Sequence, residues 1–97
     1  MKIIWLPRAI SNRDDQLNYV ALESPQSALE LGDRIEQNVP MLAEFPDMGR
    51  SGRERGTREL VISQTLFIVV YRVKKQLQLV EVLRLLHGAQ QYPKKQP

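Results

Sequence analysis

No cysteine occurs anywhere in the 97 residues, and histidine occurs once, as His87. The first absence excludes disulfides, thiolate nucleophiles and cysteine-based zinc sites; the second leaves too few imidazoles for a histidine-rich metal centre. Long apolar runs are missing too. No window approaches the roughly 20 apolar residues of a membrane-spanning helix, and Ile3-Ile4-Trp5-Leu6 is too short for a secretory leader. The expectation is a soluble, cytoplasmic protein with no metal, no cofactor, no membrane partner and no small-molecule substrate. Its length allows one small domain with a modest core, residues 1–92, followed by a flexible tail, Pro93-Lys94-Lys95-Gln96-Pro97.

Acidic residues become scarce after Met48. Residues 1–48 carry four Lys/Arg against eight Asp/Glu, net −4, whereas residues 49–97 carry ten against three, net +7. A chain polarised in this way suits an anionic target such as RNA or a DNA-associated surface, and equally an acidic protein segment. An ordinary solvated basic face has the same composition.

The first half has helical patterning. Lys2 to Leu6 is short and β-rich, and Pro7 marks entry into a helix, since its fixed φ and missing N–H are tolerated in a first turn. Ile10, Leu17, Val20 and Ala21 define a stripe on that helix, interrupted by Arg13 and Gln16. Either the helix packs in a shifted register or those two side chains do polar work. Ser24 is an N-cap and Pro25 a first helical residue for a second helix, on which Ala28, Leu31, Ile35, Val39 and Leu42 repeat along one face. Pro40 should break this helix, and Phe45-Pro46 should end the segment. The two helices form an antiparallel hairpin joined at Leu22 to Pro25.

Beyond Met48 the period becomes extended. Thr57 to Ile62, Leu66 to Val73 and Gln76 to Leu86 read as strands separated by Ser63-Gln64-Thr65 and Lys74-Lys75. On the last strand, alternation sets Leu77, Leu79, Glu81, Leu83 and Leu85 against Gln78, Val80, Val82, Arg84 and Leu86. One face packs on the helices; the other is a concave surface carrying Arg84. The order β-α-α-β-β-β defines an α+β fold, a helical hairpin packed on a small antiparallel sheet.

A loop from Gly49 to Gly56 sets Arg50, Arg53 and Arg55 among three glycines, and Arg58 follows at a strand start. Guanidinium groups on a flexible loop suit bidentate contacts with phosphate or carboxylate. His87 is the default general acid or base, although a lone histidine at a strand end is more often structural. Tyr71 and Arg72 are neighbours on a strand, so one points inward, and Tyr71 is the one expected to be buried. Tyr92 either stacks on a base or partner surface or packs back over the sheet.

Three stretches in a fixed order carry a family resemblance: Gly56-Thr57-Arg58-Glu59-Leu60-Val61-Ile62, Val69-Val70-Tyr71-Arg72-Val73, and Val80 to Ala89 with its Leu86-His87-Gly88-Ala89 ending. Together with Ile3-Ile4-Trp5, Pro7 and Ala9, the chain resembles toxins of the RelE/ParE superfamily, closer to the ParE side. That resemblance implies the same β-α-α-β-β-β architecture and a cognate antitoxin, which covers the hairpin, approaches the basic groove and partly folds on binding. A ParE-like toxin binds DNA gyrase without chemistry of its own, through a target-binding set of Arg50, Arg53, Arg55, Arg58, Arg84 and Tyr92. The alternative is a RelE-like endonuclease acting on ribosome and mRNA, with Arg58, Arg84 and His87 as catalytic candidates. Leu60 and Ile68 stand where RelE is basic, and Gln90 stands where many relatives carry arginine. A third reading is an inactive relative that only receives an antitoxin. The loop expectation is that changing Arg53, Arg55 and Arg58 together to Ala relieves toxicity without unfolding the domain.

Overall fold

A computed structural model describes residues 1–88 and 90–93. The chain runs through β1 (Lys2–Trp5), α1 (Pro7–Glu23), α2 (Pro25–Asn38), a 3-10 turn (Val39–Ala43), β2 (Arg50–Ser51), β3 (Arg58–Val61), β4 (Phe67–Lys74), a second 3-10 turn (Lys75–Leu77) and β5 (Leu79–His87). The strands form one sheet in the order β1-β5-β4-β3-β2, with the helical hairpin on one side. The α+β expectation holds. Of the tail expected to be flexible, Lys94 to Pro97 lie outside the described residues.

Local chemistry accounts for the helix ends. The Ser24 hydroxyl accepts from the Ser27 N–H at 3.1 Å, and Pro25 opens α2. Removing that cap in Ser24→Ala is expected to cost about 1 kcal/mol, read as a lower urea midpoint; an unchanged midpoint would show that the hairpin holds α2 without it. Regular helix stops at Asn38, one residue before Val39 and two before Pro40, and the chain tightens into the 3-10 turn. Leu31, Ile35, Val39 and Leu42 are all buried, as their spacing requires.

α1 departs from its expected stripe. Its one fully buried residue is Ala9, while Leu17 and Val20 are partly buried and Ile10 faces solvent. The stripe therefore runs through Ala9, Arg13, Leu17 and Val20, and Arg13 has a role on it: its guanidinium lies 4.5 Å from the centre of the Trp5 ring. Gln16 is half-buried on the same helix.

The sheet differs from expectation in three ways. First, β1 pairs with β5 in parallel, so the sheet is mixed rather than wholly antiparallel. Sequence patterning identifies a strand but not its neighbour, and a single parallel edge strand is a common addition to antiparallel sheets. Second, the arginine loop is not free: Arg50 pairs with Glu59 and Ser51 with Arg58, making a short β2–β3 ribbon. Third, the last strand starts at Leu79, because Leu77 lies in a 3-10 turn and Gln78 has φ +50°.

β5 also contains a bulge. Tyr71 stands opposite Val82 and Val70 opposite Arg84, which leaves Leu83 as an extra residue. The expected strict alternation is therefore broken: Val80, Val82 and Leu85 enter the main core, whereas Glu81, Arg84 and Leu86 belong to the other face. On β4, Phe67, Val69, Tyr71 and Val73 face the helices. The far face of the sheet buries Ile68, Val70 and Leu86, beside Glu59.

Candidate functional site

The site begins with a buried charge. Glu59 on β3 is 2 % exposed and lies on the far face of the sheet, opposite Val70 and beside Arg50. A lone carboxylate there would be costly, so the ribbon supplies donors. Glu59 Oε2 accepts from the Arg53 backbone N–H at 2.9 Å and from Arg53 Nε at 3.0 Å, while Oε1 accepts from Arg50 Nη2 at 3.2 Å. Burial alone would push the carboxyl up, but the bonds from the Arg53 guanidinium, the Arg53 N–H and Arg50 together hold it below the usual carboxylate range. The chain's most arginine-rich segment is thus anchored at its centre by one acid.

Arg53 reaches further. Its guanidinium carbon lies 5.2 Å from the centre of the Tyr92 ring, and its Nη1 donates to the Tyr92 carbonyl at 3.3 Å. Arg84 approaches the same ring at 5.3 Å, so the phenol has two cationic neighbours. Burial, with a further push from the Glu54 carboxylate, raises the Tyr92 hydroxyl above its ordinary value, and at neutral pH it is a donor. Arg84 is itself positioned by α1. β1 ends at Trp5 and leaves part of the β5 edge uncovered. Asn12 Oδ1 fills in there, accepting from the Leu85 N–H at 3.2 Å and from Arg84 Nε at 3.1 Å.

Gly49 and Tyr71 set the entry to the ribbon. The buried Tyr71 hydroxyl accepts from the Gly49 N–H at 3.0 Å and donates to the Pro46 carbonyl at 2.7 Å. A Cβ at position 49 would stand 2.6 Å from that hydroxyl, so only glycine lets the chain pass. At the far end of the loop, Gly56 has φ +79°, which suits glycine for the turn back into β3.

Of the residues singled out in the sequence, Arg50, Arg53, Arg84 and Tyr92 form one connected group through Glu59 and the Tyr92 ring. Arg55 is exposed at the loop tip, with no ion-pair partner among the described residues. Arg58 lies apart, on the other face of the ribbon, donating to the Gly49 carbonyl at 2.8 Å and pairing with Asp47 at 3.5 Å. His87 stands edge-on to Phe67, with ring centres 5.3 Å apart, on the helix side of the sheet. Gln90 folds back, its N–H donating to the His87 carbonyl at 2.9 Å. Leu60 and Ile68 are both buried. Because Arg53 neutralises Glu59 and Arg58 ties down Gly49, the triple arginine variant would damage the fold as well as the surface. Glu59, Asn12 and Asp47 were missed as site residues; Glu59 had one signal, a lone acid in an apolar strand that opens with arginine.

A helical hairpin packed on a mixed, mostly antiparallel sheet is the architecture of a small toxin of the RelE/ParE superfamily. The family model described as "ParE toxin of type II toxin-antitoxin system, parDE" matches residues 3–92. A Sinorhizobium fredii (strain NBRC 101917 / NGR234) protein named "Putative toxin Y4kP" is 37 % identical over 92 residues, covering 95 % of this chain and 93 % of that protein. A solved structure described as "Chromosomal ParDE TA system from P. aeruginosa" superposes with a TM-score of 0.74 at 27 % identity, covering 88 % of this chain and 92 % of the other. The chain belongs to the ParE toxin family of type II toxin-antitoxin systems, and that membership implies an antitoxin partner.

Proposed function

We propose that this toxin arrests growth in the cytoplasm by binding DNA gyrase and blocking replication, and that a cognate antitoxin holds it inactive. Residues 1–92 are the toxin domain in this reading, with 93–97 as its tail. One observation carries it. Arg53, Tyr92 and Arg84 form a single preorganised surface group, whereas of the three nuclease candidates Arg58 and His87 lie on the helix face of the sheet and Arg84 on the opposite one. A binding surface needs the first arrangement, while activating a ribose hydroxyl and stabilising a pentacoordinate phosphate needs convergence on one point. Burial of Leu60 and Ile68, where RelE is basic, supports the same choice.

The antitoxin is expected to cover the hairpin, where Tyr19, Leu22 and Leu29 are largely exposed. Arg84→Ala and Tyr92→Ala should each weaken target binding about tenfold, the usual loss at an arginine or tyrosine anchor, and relieve growth arrest with the fold intact. The deciding experiment is pulse labelling after induction without antitoxin. Early loss of thymidine incorporation, with purified toxin inhibiting gyrase supercoiling, supports the reading; early loss of methionine incorporation with cleaved transcripts replaces it with the ribosome-dependent nuclease. Unaffected synthesis of both kinds would mark an inactive relative.

A further inference from the structure

The β2–β3 ribbon has a second face. Antiparallel pairing of Ser51 with Arg58 sets both side chains opposite to the Arg50 and Glu59 face. A separate cavity of about 350 Å³ opens there, lined by Asp47, Ser51, Thr57, Arg58 and Lys75 over Val73. Its donors are unevenly used. Arg58 spends Nη1 on the Asp47 and Gly49 carbonyls, at 3.4 and 2.8 Å, and its Nη2 faces Asp47 Oδ1 at 3.5 Å, which leaves part of a five-donor fork open. Lys75 is exposed and has no ion-pair partner among the described residues; the Ser51 hydroxyl has no hydrogen-bond partner among them either. Asp47 is the one acid in the cavity wall, and its side chain is 65 % exposed.

We propose that this cavity binds a phosphate group. An arginine fork, an unpaired ammonium and a free hydroxyl donor around one polar hollow match a tetrahedral oxyanion, which takes several hydrogen bonds and a neutralising charge at once. Asp47 marks the position, since its carboxylate already occupies the anion side of Arg58. Being solvated, that carboxylate is held weakly and is displaced at little cost. The phosphate is either a small phosphoester or the phosphodiester of a nucleic-acid strand; both present the same oxygens. The inference does not depend on the gyrase reading, because the cavity shares no residue with the Arg53, Tyr92 and Arg84 group.

The test is amide chemical-shift titration of the whole chain with inorganic phosphate, at ionic strength held constant with chloride, repeated with a short single-stranded DNA oligonucleotide. Saturable shifts are expected at Ser51, Thr57 and Lys75. Lys75→Glu should weaken binding about tenfold, and Asp47→Asn, which removes the competing anion, should tighten it about threefold. An oligonucleotide that binds more tightly than phosphate and competes with it assigns the site to a nucleic-acid backbone; phosphate binding without oligonucleotide competition assigns it to a small phosphoester. Absence of saturable shifts, or shifts indifferent to both substitutions, overturns the proposal.

Discussion

Arg53→Ala is expected to lower stability by about 3 kcal/mol near neutral pH, because it removes the nearer of the two guanidinium groups that neutralise the buried Glu59 carboxylate and leaves it only the position-53 backbone N–H and Arg50. For a domain of this size that is a fall in Tm of about 15 °C. Arg50→Ala should cost less, since the Arg50 bond to Glu59 is longer, 3.2 against 3.0 Å, and its side chain is 60 % exposed against 39 % for Arg53. Acid should reduce the Arg53→Ala defect. The folded state holds the Glu59 carboxyl below its ordinary value, so the stabilisation is complete above an unfolded value of about 4.3 and disappears as pH falls through the folded one. Melts of wild type and variant at about pH 7 and about pH 3 should therefore converge in acid. A gap of constant size would place the effect in the Arg53 contact with Tyr92 instead.

Tyr71→Phe is the second large effect. Removing one oxygen leaves the buried Gly49 N–H without its acceptor and the Pro46 carbonyl without its donor. An orphaned buried group costs about 1–3 kcal/mol, so a loss of about 2 kcal/mol is expected from urea unfolding, although the ring still fills its place. The damage should also be local. Gly49 leads directly into β2, and amide hydrogen exchange at Gly49, Arg50 and Ser51 should quicken more than at Val69 in the middle of β4. Equal acceleration throughout would mean that the hydroxyl stabilises the whole domain without fixing the ribbon. That ribbon carries Arg53, so a Tyr71 effect on toxicity would reach the surface through backbone position rather than contact.

How much of this was legible in the sequence depends on what each signal measures. Helix boundaries came through because Ser24, Pro25 and Pro40 act on their own backbone, a purely local effect. Burial of Tyr71 followed from strand alternation and the company of Val69 and Val73. The partner of β1 was invisible, since four residues of alternating pattern do not encode which strand lies beside them. The extra residue at Leu83 was hidden for a related reason: leucines at 79, 83, 85 and 86 fit either face, and only pairing against β4 decides among them. In the site, basic side chains were found by composition, but their division into two faces was not. Arg50 and Arg53 were expected to be available on a flexible loop, whereas the Glu59 carboxylate takes up much of their hydrogen bonding. A charge count cannot show that, because it does not say which acid lies behind which base.

The bulge in β5 fixes a phase. Side chains on a strand alternate like the teeth of a zip, and one added tooth reverses every position that follows it. Regular pairing without the bulge, with Leu83 opposite Val70, would turn Arg84 towards the aliphatic core and Leu85 towards water, with His87 and the chain leading to Tyr92 carried along. The arginine of the surface group and the leucine of the interior are thus both assigned by a residue that itself belongs to neither. Deleting Leu83 together with the bulge would leave Val82 and Arg84 on their present faces; straightening the strand with Leu83 retained is what inverts them.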